Sequence, residues 1–364
     1  MWKPLAGVLA LTLTVLVGCK QQNNATDSTA AAAPQQTFKW KMVTTWPKNY
    51  PGLGMAPENF AKAVNEMSGG RLQIKVHGAG ELVPAMGVFD SVARGAVEMG
   101  HGAAYYWKGK TPAAQFFTAV PFGLNAQEMN GWLHYGGGME LWREAYEPFN
   151  LVPFAGGNTG VQMAGWFKKE ITSVDDLKGL KMRIPGLAGE VFQRLGGVPV
   201  TLPGGELFTS LQTGAIDATE WVGPYNDLTF GLHKVAKYYY YPGWHEPGAA
   251  LEFVVNKEAW QSLPADLQAI VTYATRAVNQ DMLDEYTARN NSALKELQTQ
   301  HGVQLRKLPD DVLGALRTAS DEVIAEIIAQ DPMAKKVYES FKAYKENVVP
   351  YTEISEGAYL ETRN

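Results

Sequence analysis

A repeated order of strands and helices is the feature of this sequence that most restricts its fold. Residues 38–43 and 72–76 alternate apolar and polar side chains, as half-buried strands do, and a helical pattern over residues 57–67 separates them. A helix over residues 89–97 then leads to a short strand near Gly100. Strands and helices alternate in the same order over residues 182–212. This alternation predicts α/β lobes with mainly parallel sheets.

The two stretches also share residues at a constant offset of 119 positions. The matched pairs are Pro84 and Pro203, Phe89 and Phe208, Ser91 and Ser210, Gly95 and Gly214, and Ala96 and Ala215. Five identities over so short a stretch could arise by chance, but the shared order of strands and helices favours a duplication. Two such lobes facing each other would leave a ligand cleft at the carboxyl ends of their strands.

The pattern becomes helical in the last third of the chain. Apolar residues recur at helical spacing over about residues 262–297, and further helices are expected from just after Asp311 to about 329 and over about 333–348. These late helices are expected to brace the lobes or to form dimer contacts. We therefore predict an N-terminal lobe over about 38–155, a C-terminal lobe over about 156–255, a helical region over about 256–349 and a C-terminal tail over 350–364.

The first 19 residues are typical of an export signal. Lys3 precedes an uncharged apolar stretch over residues 5–18, which is shorter than the ~20 residues that a membrane-spanning helix needs. The stretch ends in Leu16-Val17-Gly18-Cys19, which resembles a bacterial lipobox. We expect a lipoprotein signal peptide with Cys19 lipidated; the alternative is a buried core cysteine. Residues 20–37 are polar and Ala-rich, as a flexible tether would be, so the body is expected in the periplasm or at the cell surface. Inner and outer membrane both stay open.

Composition and motifs exclude several classes of function. A net charge of −5 provides no basic excess for binding nucleic acid. A single cysteine excludes a disulfide framework and a multi-cysteine metal site. The sequence has no Gly-x-Ser-x-Gly elbow, no P-loop and no histidine pair at metalloprotease spacing. The run Gly136-Gly137-Gly138 lacks the flanking pattern of a dinucleotide site and is expected to be a loop.

Four stretches present polar side chains that core packing does not require. For the stretch with Glu220 the alternative is a surface strand end, and for the stretch with Glu246 it is an ordinary turn. An arginine flanked by apolar residues needs an anionic partner, and a guanidinium matches a free carboxylate in two hydrogen bonds. The stretches are Gly157–Gln162 with Asn158 and Gln162, Lys181–Pro185 with Arg183, Thr219–Pro224 with Glu220 and Trp221, and Pro242–Gly248 with Glu246.

Residues 38 to about 349 resemble the solute-binding proteins of TRAP (tripartite ATP-independent periplasmic) transporters, in the branch for 2-oxo acids and related monocarboxylates. The motifs that carry the resemblance are Val43–Pro47, Gly157–Gln162, Lys181–Gly186, Asp217–Trp221 and Tyr241–Gly248. The resemblance implies a two-lobed periplasmic binding protein fold with a long C-terminal helical region. It also implies a TRAP membrane permease as partner and, in this branch, a possible homodimer through the C-terminal helices. A lipobox departs from the many relatives that we would expect to be free in the periplasm.

The resemblance further implies a set of site residues. Arg183 would hold a ligand carboxylate, and a metal ion would bridge the ligand to Gln162, Glu220, Glu246 and the carbonyl of Trp221. Oxygen ligands suit Na⁺ or Ca²⁺. Two carboxylates favour Ca²⁺, but if Glu246 bonds only the ligand, Na⁺ is equally acceptable. The predicted substrate-binding residues are Arg183, Gln162, Asn158, Tyr105, Trp221 and Glu246.

Tyr105 and Tyr106 follow the last strand of the first module, so one of them is expected to cap the ligand from the N-terminal lobe. Tyr105 is preferred, and plain packing is the alternative. The predicted function is therefore extracytoplasmic capture of a small organic carboxylate for a TRAP permease, without covalent chemistry. An exported enzyme with Glu220 or Glu246 as base, and a solute-sensing receptor subunit, are the alternatives. The identity of the carboxylate stays open.

Overall fold

Strands and helices alternate along the computed structural model, which describes residues 36–363. The predicted signal segment, Cys19 and most of the tether lie outside the described residues. The strands are β1 (Phe38–Thr44), β2 (Leu72–His77), β3 (Met99–Gly102), β4 (Leu151–Asn158), β5 (Gly165–Phe167), β6 (Lys181–Arg183), β7 (Val198–Val200), β8 (Ala218–Thr219), β9 (Tyr238–Tyr241), β10 (Ala250–Asn256) and β11 (Gln304–Lys307).

The helices are α1 (Met55–Met67), α2 (Val88–Ala93), α3 (Ala114–Thr118), α4 (Ala126–Tyr135), α5 (Gly138–Tyr146), α6 (Gly186–Arg194), α7 (Leu207–Thr213), α8 (Pro224–Phe230), α9 (Lys257–Ser262), α10 (Ala265–Gln300), α11 (Asp310–Gln330), α12 (Pro332–Thr352) and α13 (Ala358–Thr362). Single 3₁₀ turns join several of them, including Ala104–Trp107 after β3. Of the described residues, no helix has the length and apolar character needed to cross a membrane.

Two mixed sheets form the framework. Their strand orders are β2-β1-β3-β10-β4 and β11-β9-β5-β8-β6-β7. Within the first, β1 runs parallel to β2 and β3; within the second, β6 runs parallel to β7 and β8. Strand β10 is antiparallel to both of its neighbours, as is β5. The expected parallel pairing therefore holds within the two repeated modules, while the antiparallel strands make each sheet as a whole mixed.

The two modules have the same topology. Each runs strand, helix, strand, 3₁₀ turn, helix, strand, and in each the first strand lies between the other two. Two of the matched glycines, Gly95 and Gly214, have φ of +70° and +79° at the end of the second helix of their module. A residue with a Cβ adopts this conformation only with strain, so both positions favour glycine. The repeated architecture supports the duplication inferred from the sequence.

Strand pairing crosses the predicted lobe boundaries. Strand β10 falls in the segment assigned to the C-terminal lobe, but it pairs with β3 and β4 of the first sheet. Strand β11 falls in the predicted helical region, yet it adds an edge to the second sheet beside β9. The predicted tail over 350–364 is helical as far as Thr362. The chain thus returns to each sheet after leaving it.

The late helices pack against elements of both sheets. Helix α10 packs on α1 and β4 on one side and on α8 on the other. Helix α11 packs on α6, whereas α12 packs on α3, α4 and α5. Their buried faces join separate cores, with Leu316 and Val323 beside Phe192, and Val337 and Phe341 beside Trp132. The late helices therefore contact elements associated with both sheets.

Candidate functional site

Polar side chains converge at the carboxyl ends of two neighbouring strands. Strand β6 ends at Arg183, and Glu220 directly follows β8. The two strands run parallel, with Arg183 paired to Thr219, so their ends lie at the same edge of the sheet. The backbone N–H of Glu220 donates to the carbonyl oxygen of Arg183 at 3.2 Å. Parallel pairing alone therefore brings together two residues that are 37 positions apart.

Arg183 is fully buried and most of its guanidinium donors are in use. Its Nε donates to the carbonyl oxygen of Leu202 at 3.1 Å, and its Nη2 donates to the hydroxyl of Tyr106 at 3.0 Å. Its Nη1 donates to both the carboxylate and, at 3.4 Å, the carbonyl oxygen of Glu220. Its guanidinium carbon lies 4.9 Å from the ring centroid of Trp221. The anionic partner that this arginine requires is therefore supplied within the chain by Glu220.

This pairing limits how a ligand could meet Arg183. A guanidinium has five N–H groups, and four of these five already have partners in the conformation described. A ligand carboxylate could accept two hydrogen bonds from the arginine only if one of the present acceptors, such as Glu220, moved away. The two hydrogen bonds that the sequence predicts from Arg183 to a ligand carboxylate therefore depend on the position of the Glu220 side chain.

Glu246 enters from the loop between β9 and β10. It is buried, and its carboxylate accepts a hydrogen bond from Gln162 Nε2 at 2.8 Å. The two loops are also joined through their backbones, because the N–H of Gln162 donates to the carbonyl of Glu246 at 3.2 Å. Ligand atoms of Glu220, His245 and Glu246 all lie within 4.8 Å of one another. Gln162, Glu220 and Glu246, predicted from separate motifs, therefore belong to one cluster.

The electrostatics of the cluster are those of carboxylates crowded in a dry site. Burial raises the pKa of Glu246 well above its ordinary value, and the nearby negative charge of Glu220 raises it further. Arg183 and the hydrogen bonds from Gln162 and Tyr105 oppose this rise without cancelling it. Burial also raises the pKa of Tyr105, with Glu246 as the next contribution. Two carboxyl groups this close would need either a cation between them or a proton on one of them.

Both tyrosines of the 3₁₀ turn after β3 reach this cluster. The Tyr106 hydroxyl accepts from Arg183 Nη2, whereas Tyr105 lies beside Glu246 and packs on the backbone of Gly186. A Cβ at Gly186 would come within 3.1 Å of the Tyr105 Cβ, and φ there is +65°. The first sheet therefore contributes two aromatic hydroxyls, where the sequence predicted one.

Asn158 and Trp221 are less directly committed to the cluster. The Asn158 side chain donates to the carbonyl of Gly248 at 3.2 Å and accepts from the N–H of Gly160 at 2.9 Å. It therefore links the segment after β4 to the loop between β9 and β10. Trp221 is 4% exposed, and its ring packs on Arg183, Trp46 and Phe230. A role for its carbonyl oxygen as a metal ligand stays a prediction.

Sequence reasoning missed His245. The ring is 1% exposed, and its Nε2 lies 3.5 Å from Glu220 Oε2. Its position next to Glu246 in the Pro-Gly bracketed loop was the available signal. In an extended strand, neighbouring side chains point to opposite faces, but a turn follows no such rule.

The donor set fits a hard cation. Among the described residues, Gln162 Oε1 and Glu220 Oε2 are buried and have no hydrogen-bond partner. Buried acceptors without partners are costly, and Na⁺ and Ca²⁺ are bound by such oxygens. The carboxylate of Glu246 lies beside them. Amide and carboxylate oxygens without a thiolate match the chemistry of these ions.

The site is enclosed in the conformation described. Arg183 and Glu220 are 0% exposed and Glu246 is 3% exposed. Lys108, which follows the tyrosine turn, forms an ion pair of 2.7 Å with Glu190 on α6 and so joins the two sides of the site. A ligand could reach these groups only after the elements around them had moved apart. A separate surface cleft of about 420 Å³ lies elsewhere, between α11, α12 and Phe122.

Comparison with known proteins gives concordant results. A sequence profile described as bacterial extracellular solute-binding protein, family 7 (DctP), matches residues 42–331. A monocarboxylate 2-oxoacid-binding periplasmic protein of Nostoc sp. (strain PCC 7120) is 46% identical over 351 residues, which cover 96% of this chain and 95% of that protein.

Two crystal structures of TRAP periplasmic solute-binding proteins have a similar fold. The protein from Pseudoalteromonas atlantica, with bound sodium and pyruvate, is 49% identical and has a TM-score of 0.88. The protein from Colwellia psychrerythraea, with bound calcium and pyruvate, is 48% identical and also has a TM-score of 0.88. Each match covers 90% of this chain and 100% of the other chain.

Proposed function

This chain belongs to the bacterial extracellular solute-binding proteins of family 7, and we propose that it captures a 2-oxo or 2-hydroxy monocarboxylate together with Ca²⁺ or Na⁺. The solute would then pass to a TRAP-type permease. Proteins of this family bind solutes for transport and are not enzymes, so a catalytic base is not needed to explain Glu220 and Glu246. Pyruvate is the first ligand to test, because two similar proteins hold it in their crystal structures.

One observation carries the proposal: an arginine, two buried carboxylates and an amide oxygen without a partner meet in a single enclosed cluster. An organic anion alone would be repelled by the carboxylates. A cation held by Gln162, Glu220, Glu246 and the Trp221 carbonyl would supply the positive charge that lets an acid bind beside acids. Arg183 would hold the ligand carboxylate, and Tyr105 and Tyr106 would close over it.

We propose that the two sheets are the cores of two lobes, and that ligand binding holds the lobes together. The elements that meet at the site come from both sheets, since the tyrosines follow β3 and Arg183 ends β6. The Lys108–Glu190 ion pair would form on closure and separate on opening. Such an exposed pair adds only ~0–1 kcal/mol, so the ligand must contribute most of the closing energy.

A thermal-shift and calorimetry screen tests the proposed function. Pyruvate, lactate, longer 2-oxo acids and propionate would each be added with CaCl₂, with NaCl, and in chelated potassium buffer. We expect pyruvate to raise the melting temperature when Ca²⁺ or Na⁺ is present, because a ligand that binds only the folded state stabilises it. Failure of every 2-oxo and 2-hydroxy acid to bind under all three conditions would contradict the proposal. Conversion of any of these acids to a product would favour the enzyme alternative.

We also propose that the body is attached to a bacterial membrane through lipidated Cys19 and that it can form homodimers through its C-terminal helices. The apolar side chains at the end of the chain support the second point, since Tyr351, Ile354 and Tyr359 are 68%, 75% and 62% exposed. Light scattering on the full mature chain, and on a chain ending at residue 349, tests it. Identical monomeric masses would contradict a dimer.

A further inference from the structure

The imidazole of His245 is neither one of the proposed metal ligands nor one of the proposed ligand-binding groups. It is buried within the loop between β9 and β10, at 1% exposure, and packs beside Trp244. Among the described residues neither of its ring nitrogens has a hydrogen-bond partner. Its Nε2 is 3.5 Å from Glu220 Oε2, but that oxygen is also without a partner, so the two groups do not form an aligned bond.

An unpartnered imidazole differs from an unpartnered oxygen in a way that matters here. Whatever its protonation state, the ring carries at least one N–H, so His245 always has a donor to satisfy. Gln162 Oε1 and the carboxylate oxygens around it can only accept. Buried polar groups without partners are rare in folded proteins, and those present call for an explanation.

A cation does not satisfy this donor. Na⁺ and Ca²⁺ are bound by oxygen, whereas imidazole suits transition metals. An N–H can be satisfied only by an acceptor, and the bound acid brings carboxylate and 2-position oxygens into the cluster. The other unpartnered donor nearby, the indole nitrogen of Trp221, lies on a ring that packs against Tyr50 and Phe230.

We infer that His245 is a further ligand-binding residue, which donates its N–H to an oxygen of the bound 2-oxo or 2-hydroxy acid. This inference rests on the proposed function and assigns a partner to a buried donor that has none among the described residues. The cation and the histidine then have separate roles: the cation neutralises the carboxylates, and His245 recognises an oxygen of the ligand. A carboxylic acid bound here would contact side chains of β6, of the β9–β10 loop and of the turn after β3.

Calorimetry on two variants and one matched control tests the inference. His245→Phe keeps a ring of similar size without an N–H, and His245→Gln keeps an amide donor. His233→Phe is the control, because His233 also has unpartnered ring nitrogens but lies before β9 and packs against His301. In saturating CaCl₂ we expect His245→Phe to weaken pyruvate binding about 10- to 100-fold, with part of the loss recovered in His245→Gln. The control should bind as the wild type does.

Titration of Ca²⁺ alone separates a ligand contact from a metal contact. We expect the Ca²⁺ affinity of His245→Phe to stay within about twofold of the wild type. A Ca²⁺ affinity that falls by the same factor as the pyruvate affinity would overturn the inference and make the ring a metal ligand. Unchanged pyruvate binding in His245→Phe would overturn it as well and leave the ring a structural role. A wild-type protein that binds no 2-oxo acid would instead remove the proposed function on which the inference rests.

Discussion

Glu220→Gln is the most informative perturbation of the site, because it removes one charge while keeping the side-chain shape. One carboxylate oxygen of Glu220 lies within 4.8 Å of one carboxylate oxygen of Glu246. If both were ionised, they would repel each other by about 3 kcal/mol at an effective dielectric constant of about 20. A cation between them removes this repulsion. Its binding should therefore strengthen binding of an anionic ligand by on the order of 100-fold.

Glu220→Gln should weaken Ca²⁺ binding and pyruvate binding together. It should also make the affinity for pyruvate less dependent on the metal. The Gln amide oxygen can still accept from Arg183, so the fold should survive with a loss of about 1–3 kcal/mol, as when a charged acceptor becomes neutral. The assay is calorimetry with pyruvate, with CaCl₂ and after exhaustive chelation in sodium-free buffer. Thermal melting of each protein checks that the fold is retained.

Glu128→Gln is the matched control. Glu128 is also buried, but it completes the capping box of α4 with Asn125, a role that glutamine can fill. Metal and pyruvate binding of this variant should match the wild type. Full-strength pyruvate binding by the wild type after chelation, in the absence of sodium, would refute the bridging cation. Glu220 and Glu246 would then have direct or structural roles.

Four further predictions concern the arginine, the anchor, closure and pH. Arg183→Met should weaken pyruvate binding by about 2–5 kcal/mol in calorimetry, the usual cost of removing one member of a buried charge pair, whereas Arg194→Met, on the exposed ion pairs of α6, should not. Cys19→Ala should move the protein from the membrane to the soluble fraction or block signal processing, and unchanged fractionation would place the anchor elsewhere. Small-angle scattering should show a smaller radius of gyration with pyruvate and CaCl₂ than without them; equal radii would contradict closure. Burial raises the pKa of Glu252 to about 7 from an ordinary 4.5, so the folded state binds this proton more tightly than the unfolded state. Its contribution to stability should therefore fall by up to about 3 kcal/mol as pH rises from about 4.5 to 7. Urea unfolding at pH 5.0 and 7.5 should show a smaller decrease for Glu252→Gln than for the wild type.

Local periodicity predicted the late helices and much of the two modules, because elements such as α11 and α12 bury one face and expose the other. The strand over residues 38–44 and the helices over 310–330 and 332–352 lie close to their predicted bounds. Strand β10 carried no such signal. All seven of its residues are buried, so its pattern has no period of two, and it contains Glu252. The carboxylate is tolerated because Trp107 Nε1 and the Tyr146 hydroxyl donate to it at 2.5 and 2.9 Å.

The candidate site was predictable where strand ends specify it and unpredictable where contacts between distant residues decide it. Arg183 and Glu220 follow from the position of parallel strand ends. Their direct pairing does not, because either residue could have met a ligand instead. His245 was missed for a similar reason: the direction of a side chain in a turn depends on the backbone of that turn and on the loop packed against it.

The placement of the cluster relates binding to closure. The chain crosses from the first sheet to the second between β4 and β5, and it returns between β9 and β10. Gln162 lies in the first crossing and Glu246 in the second, and the crossings are held together by the Thr159 N–H donating to the Ala249 carbonyl at 3.1 Å. A cation bound to both residues would fix the two crossings relative to each other. Because Arg183 belongs to the second sheet and Tyr105 follows the first, a ligand that contacts all of these groups can bind fully only when the sheets have come together.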